Sequence, residues 1–335
     1  MNHLDSRKYI ILLVVILAVF CLVAASIGRY SMNPADVLGA LYTKVKGLEG
    51  NKTMENVLFL VRFPRILAAV IVGAALSLSG AIYQGIFKNP LVSPDLLGVS
   101  SGACVGAAIA ILLGFNLAWT QVFAFAGGLV AVNLAVLLSK ILRSSSNIIL
   151  VLSGIIISGL MGSILGVLKF IADPETELSS IVYWQMGSIA GVSLKQVFAV
   201  IPLMITAMVI MLLLSWRINI MSFGEQEAKS LGINVVLLRG IAIICASLLT
   251  ASAVSISGTI GWIGLVIPHL GRILVGPDNT KLFPVTLLQG SIFLLLIDTI
   301  SRVATSVEIP LSILTGLIGA PFYAYILWER KTKLS

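Results

Sequence analysis

The chain has 335 residues, of which 58% are hydrophobic and only 11% charged. About a quarter of a soluble domain's residues are charged, so this composition excludes a water-soluble fold and makes the bilayer the main solvent. The net charge of +8 sits in short connectors between apolar runs, the pattern of the positive-inside rule, and does not point to nucleic acid.

A membrane crossing needs about 20 largely apolar residues. Read in chain order, such runs predict an all-α polytopic membrane protein forming one permease-like domain over 1–335. The spans fall near 9–28, 66–87, 96–113, 119–139, 144–168, 196–216, 238–257, 260–275, 282–303 and 309–328. The first follows Arg7-Lys8 and exceeds the 7–15 apolar residues of a secretory core segment, so it reads as an uncleaved helix. The charge-free run Leu96–Ser139 is too long for one crossing, and Gly114-Phe115-Asn116 divides it. The run Gly240–Gly271 fits either one tilted helix or two shorter ones. Parity favours two. Arg7-Lys8 at one end and Arg330, Lys331 and Lys333 at the other place both termini in the cytoplasm, which requires an even number of crossings.

Three connectors are long. Residues 29–65 face outward, with Asn33-Pro34 opening a short helix, and 172–195 lie on the same side. The inner segment 217–235 predicts a short amphipathic helix capped by Ser222, with Glu225 and Glu227 in its first turn and Gly232 ending it. It serves either as a plain solvated link or as a docking element. Ser77–Ile82 also resembles Ser255–Ile260, which suggests inverted halves as in many transporters.

Catalytic signatures are missing from the sequence. It contains no phosphate-binding loop, no H-E-x-x-H and no C-x-x-C. Cys21, Cys104 and Cys245 lie within apolar runs and read as small hydrophobes. His3 and His269 lack the partners of a metal site. Neither an enzyme nor a resident cofactor is expected. Asp298 is the ionisable residue placed within a span, and Arg302 follows at i+4, so Asp298 reads as a salt-bridged structural group. Most intramembrane glycines read as packing residues. The series Gly154, Gly159, Gly162 and Gly166 marks a candidate pathway-lining or moving helix.

At this point the motifs form a family pattern. Val61-Arg62-Phe63-Pro64-Arg65, Val72–Leu76, Ser79-Gly80, Gln84, Asn89-Pro90-Leu91, Pro94 and Leu97–Ala103 strongly resemble the FecCD-type permeases. These are the membrane subunits of importers for iron–siderophores, haem and vitamin B12. Gly261–His269, Arg272, Asp278 and Pro284 agree, as do Asp298, Arg302, Glu308-Ile309-Pro310, Thr315 and Gly319–Phe322. The resemblance implies a ten-helix fold like the vitamin B12 importer permease, in a bacterial cytoplasmic membrane. It implies a second permease subunit, identical or related, ABC ATPase subunits inside and an extracytoplasmic substrate-binding protein outside. Glu225, Ala228, Leu231 and Gly232 match the family's ATPase-coupling element. Arg62, Arg65 and Arg302 match its docking arginines, expected as exposed guanidiniums that orient an acidic partner. The cargo it favours is a ferric siderophore, with vitamin B12 or haem as alternatives. An ion-coupled secondary transporter is the reading from another class.

Overall fold

The computed structural model describes residues 6–28, 30–48, 51–142 and 147–334. His3 lies outside them, as do the side chains of Arg330, Lys331 and Lys333. The chain enters through α1 (Ser6–Ser26), followed by the short α2 (Pro34–Lys46) and α3 (Lys52–Asn56). A π-helical stretch, Val57–Arg62, joins α3 without interruption to α4 (Phe63–Phe87). A 3-10 turn at Pro94–Leu97 leads into α5 (Val99–Leu112), then α6 (Leu117–Ile141) and α7 (Asn147–Ile171). The small α8 (Glu177–Gln185) precedes the 30-residue α9 (Leu194–Phe223) and the single-turn α10 (Glu225–Ser230). The chain ends with α11 (Val235–Ser257), α12 (Ile263–Val275), α13 (Asn279–Val303) and α14 (Leu311–Leu334).

Among the described residues, seven helical stretches are long and apolar enough to cross a membrane, and Val99–Leu112, Ile263–Val275 and Leu311–Tyr325 are shorter apolar helices. Several expected boundaries move. The second segment begins far upstream of 66, because helix runs unbroken over Lys52–Phe87. The segments expected from 96 and 260 start helically only at Val99 and Ile263. Pro94 and Gly98 hold the first chain entry out of α geometry. At the second, Gly258 has φ +65 and Trp262 φ +71, a left-handed conformation uncommon for so bulky a residue. Trp262 is wedged against α14, where a Cβ on Gly319 would lie 2.6 Å from its own Cβ.

Helix contacts in a bilayer gain nothing from the hydrophobic effect, so close backbone approach and buried hydrogen bonds must hold them. α4 is the hub, packed on α11, α12 and α13. A Cβ at Gly73 would come within 2.2 Å of the Gly290 carbonyl of α13, and one at Gly80 within 1.9 Å of the Gly264 carbonyl of α12. Hydroxyls reinforce these seams. Ser77 Oγ donates to the Thr286 carbonyl at 2.8 Å, Ser79 Oγ meets Thr250 Oγ1 at 2.7 Å and Tyr83 OH meets Ser247 Oγ at 2.8 Å. α5 and α6 repeat the pattern through Gly102, Gly106 and Gly127.

The element lengths carry an internal correspondence. α4 to α7 run 25, 14, 25 and 25 residues, and α11 to α14 run 23, 13, 25 and 24. α4 rests on α12 and α13, as α11 rests on α5 and α6. The C-terminal end of α4 lies beside Ile218 and Asn279, near the end that carries α10, where α11 begins. The two sets therefore run in opposite senses, as inverted halves do. The six-residue match that suggested this is not the correspondence itself. Ser77–Ile82 is interior to α4, whereas Ser255–Ile260 runs off the end of α11.

Candidate functional site: a buried ion cluster and a terminal helix

At the end of the bundle opposite α10, three guanidiniums and two carboxylates gather. Arg65, in the first turn of α4, donates from Nε to Asp298 Oδ1 at 2.7 Å and from Nη1 to Glu308 Oε1 at 2.8 Å. Asp298 belongs to α13, and Glu308 to the connector before α14. Arg302 stands 3.9 Å from Asp298, at the limit of an ion pair. The i,i+4 partner read from sequence is thus secondary, and Arg65, 233 residues away, is the principal one.

Arg62 faces no carboxylate among the described residues. It donates to the carbonyls of Ala25, Ser26 and Tyr30, and Arg302 donates to that of Ala24. The last carbonyls of α1 have no partner within their own helix and form the negative end of its dipole. Two arginines from other elements therefore cap α1. The expectation of exposed guanidiniums is corrected here: Arg62 is 4% exposed and Arg65 8%. The reason is charge economy. A buried carboxylate at Asp298 is tolerated only when a cation faces it, so Arg65 turns inward.

The cluster is incompletely bonded. Asp298 Oδ2, Arg302 Nε and Glu308 Oε2 are buried without a hydrogen-bond partner among the described residues. Glu308 is its rim, with 29% of its side chain exposed against 1% for Asp298. Its connector is anchored by Ser301 Oγ, which donates to the Ile309 carbonyl at 2.6 Å. Beyond it, the Leu311 and Ser312 amides donate to the Gly187 and Met186 carbonyls.

At the opposite end, α10 hangs between α9 and α11. Ser222 is not its cap. It remains inside α9, with Oγ bonded to the Asn219 carbonyl, and Gly224 at φ +147 breaks the chain instead. Ala228 is fully buried against Ile220, Met221, Val235 and Leu238. Gly232, at φ +77, ends the segment. Leu231 is 67% exposed, an apolar side chain facing away from the protein. Glu225 pairs with Arg239 of α11, and that hydrogen bond holds its carboxyl below the usual glutamate value.

The glycine series on α7 divides. Gly154 is a packing residue, since a Cβ there would lie 2.1 Å from the Leu96 carbonyl. Gly159, Gly162 and Gly166 are exposed, and a Cβ on each meets nothing within 4 Å among the described residues. Two partly buried polar contacts escaped the sequence reading. Arg272 donates to Gln84, whose Nε2 reaches the Gly264 carbonyl at 3.2 Å, and Asp95 accepts from Ser100 in the break before α5. The clue to the first was a lone Gln in an apolar run with an Arg late in another. Asp95 was passed over because it sits between Pro94 and an apolar stretch.

These features define a membrane permease: a bundle of inverted halves with a short presenting helix at one end and an ion cluster at the other. The chain belongs to the FecCD transport family, whose model matches residues 15–329; it is a permease of the ABC importer class. It is 42% identical over 322 residues to the molybdate import system permease of Haemophilus influenzae, covering 95% of each chain. It is also 42% identical over 272 residues to a probable iron chelatin transport system permease of Helicobacter pylori, covering 81% of this chain and 82% of that one. Among solved structures it matches an inward-facing putative metal-chelate type ABC transporter with TM-score 0.87 and 39% identity, over 96% of this chain and 99% of the other.

Proposed function

We propose that the chain crosses the cytoplasmic membrane ten times, with both termini inside. In this reading it pairs with a second permease subunit to import a metal-bearing solute, a ferric siderophore in the first instance. Energy comes from ATP hydrolysed by separate subunits. The observation that carries the reading is α10: its one buried residue, Ala228, fixes it to the bundle, while Leu231 and its neighbours face outward at the cytoplasmic end. A short helix so mounted can sit in a groove of an ATPase and convert nucleotide-driven closure into rearrangement of α9 and α11. Residues 217–235 are the coupling segment. At the far end, the cluster of Arg62, Arg65 and Arg302 underlies the docking face for an extracytoplasmic substrate-binding protein. The exposed glycines of α7 face the passage or the second subunit.

A tagged pull-down from detergent-solubilised membranes tests the assembly. Recovery of an ABC ATPase and a binding protein is the expected result. Recovery of this chain alone, active in liposomes, would make it a secondary transporter. Vanadate should abolish uptake, and protonophores should not.

A second cargo is favoured by the full-length similarity to a molybdate permease. Uptake of radiolabelled ferric siderophore and of labelled molybdate by cells expressing the system decides between them. Accumulation of molybdenum without iron would overturn the ferric reading and leave the importer reading standing.

A further inference from the structure

The buried ion cluster presents a contradiction. Its arginines underlie the face where an acidic partner would dock, yet the guanidinium of Arg65 is already occupied by carboxylates of its own chain. Asp298 holds Nε from within the bundle and is almost wholly enclosed. Glu308 holds Nη1 from the surface side and is the only one of the two that solvent reaches appreciably. Any carboxylate arriving from outside meets Glu308 before it meets Arg65.

We propose that Glu308 is an intramolecular stand-in for a partner's carboxylate: it covers Arg65 in the undocked protein and is displaced when an acidic side chain of the binding protein takes its place. The proposal rests on the docking reading above and names the residue that regulates it.

The bonding favours exchange at this position and no other. Glu308 keeps one oxygen, Oε2, buried without a partner, so its attachment is half-satisfied, and unpartnered buried polar atoms are costly. Replacing one carboxylate by another at Nη1 conserves the charge balance of the cluster. Asp298 cannot be displaced in this way without leaving a charge unpaired in the bundle.

Release of Glu308 also has somewhere to go. It stands in the connector 304–310, whose far end begins α14. The first amides of α14 are bonded to Gly187 and Met186, in the turn after α8. That turn in turn contacts the break between α11 and α12: Ser188 donates its amide to the Ser257 carbonyl at 2.7 Å, and Thr259 Oγ1 donates to the Gln185 carbonyl at 2.5 Å. One connector thus links the rim of the cluster to the irregular backbone between α11 and α12. A carboxylate that displaces Glu308 pulls on a chain of direct hydrogen bonds.

The test uses the full chain in lipid nanodiscs, with Glu308→Gln and Glu308→Asp variants checked for an unchanged gel-filtration profile. Phenylglyoxal, an arginine reagent, reports access to Arg65 by peptide mass, and Arg62, bound to carbonyls and not under Glu308, is the internal control. Glu308→Gln should raise Arg65 labelling about tenfold, leave Arg62 unchanged and tighten docking of the co-purified binding protein about tenfold, on the scale of a rim charge contact. Glu308→Asp, whose shorter carboxylate fits the same position less well, should fall between. Arg65 labelled no faster in Glu308→Gln overturns the cover while leaving the docking reading intact. Faster labelling with unchanged docking overturns the docking reading itself, and the proposal with it.

Discussion

Gly80 and Gly159 look alike in the sequence, both glycines in apolar runs, and the structure gives them opposite sensitivities. A Cβ at Gly80 would overlap the Gly264 carbonyl, a backbone atom that cannot step aside. Gly80→Ala should therefore lower stability by about 1–3 kcal/mol, the cost of overpacking, read as a reduced Tm in detergent. Gly159→Ala should leave Tm unchanged. Asp298 is the other decisive residue. Asp298→Asn keeps the shape and removes the enclosed carboxylate that faces Arg65 and Arg302, leaving Glu308 as the one carboxylate of the cluster to offset them. Breaking such a pair costs about 3–5 kcal/mol, so the variant should express poorly or unfold early. Preserved Tm in Asp298→Asn would mean that Glu308 alone suffices as the counter-ion of Arg65.

Among the elements, α10 has the clearest solution signature. Glu225 is held below the ordinary glutamate value of 4.5 by its hydrogen bond from Arg239. A lowered folded-state value stabilises above the unfolded one and is lost as pH falls through the folded one. The pairing of α10 with α11 should therefore be constant from neutral pH down to about 5 and loosen only below 4.5. Hydrogen exchange of α10 peptides across that range measures it, and Glu225→Gln should remove the dependence. Leu231→Asp should leave folding intact, since the side chain is exposed, and abolish ATPase coupling in the assembled transporter. The local structure of this element was legible in sequence: Glu225 and Glu227 stand in its first turn, and Gly232 follows its end at φ +77. Its cap was not, because Ser222 is as good a cap by type as by position, and only the length of α9 decides that it stays inside. The long helices were legible because apolar runs bounded by charge admit little else. The ion cluster was not. Arg65 lies 233 residues from Asp298 and 243 from Glu308, and charge at a span boundary reads as an anchor whether it turns outward or inward.

For the whole molecule, the glycine seams join α4, α12 and α13 through backbone contact, without flexible side chains between them. That trio should move as one body during transport. Spin-label pairs within it should hold a single distance through the ATP cycle, while pairs from it to α7 should change. The short helices α5 and α12 carry a different consequence, one for biosynthesis. With 14 and 13 residues, each spans about 20 Å at 1.5 Å per residue, less than the roughly 30 Å hydrocarbon core. Neither can be stably threaded through the bilayer as it leaves the ribosome, because its irregular leading segment brings unpaired backbone groups that only neighbouring helices can satisfy. Insertion must wait until α6 or α13 has been made, so the chain should enter the membrane in pairs of helices. Chains terminated after residue 116 and released into membranes should leave α5 accessible to protease, and released chains that extend well beyond residue 141 should protect it.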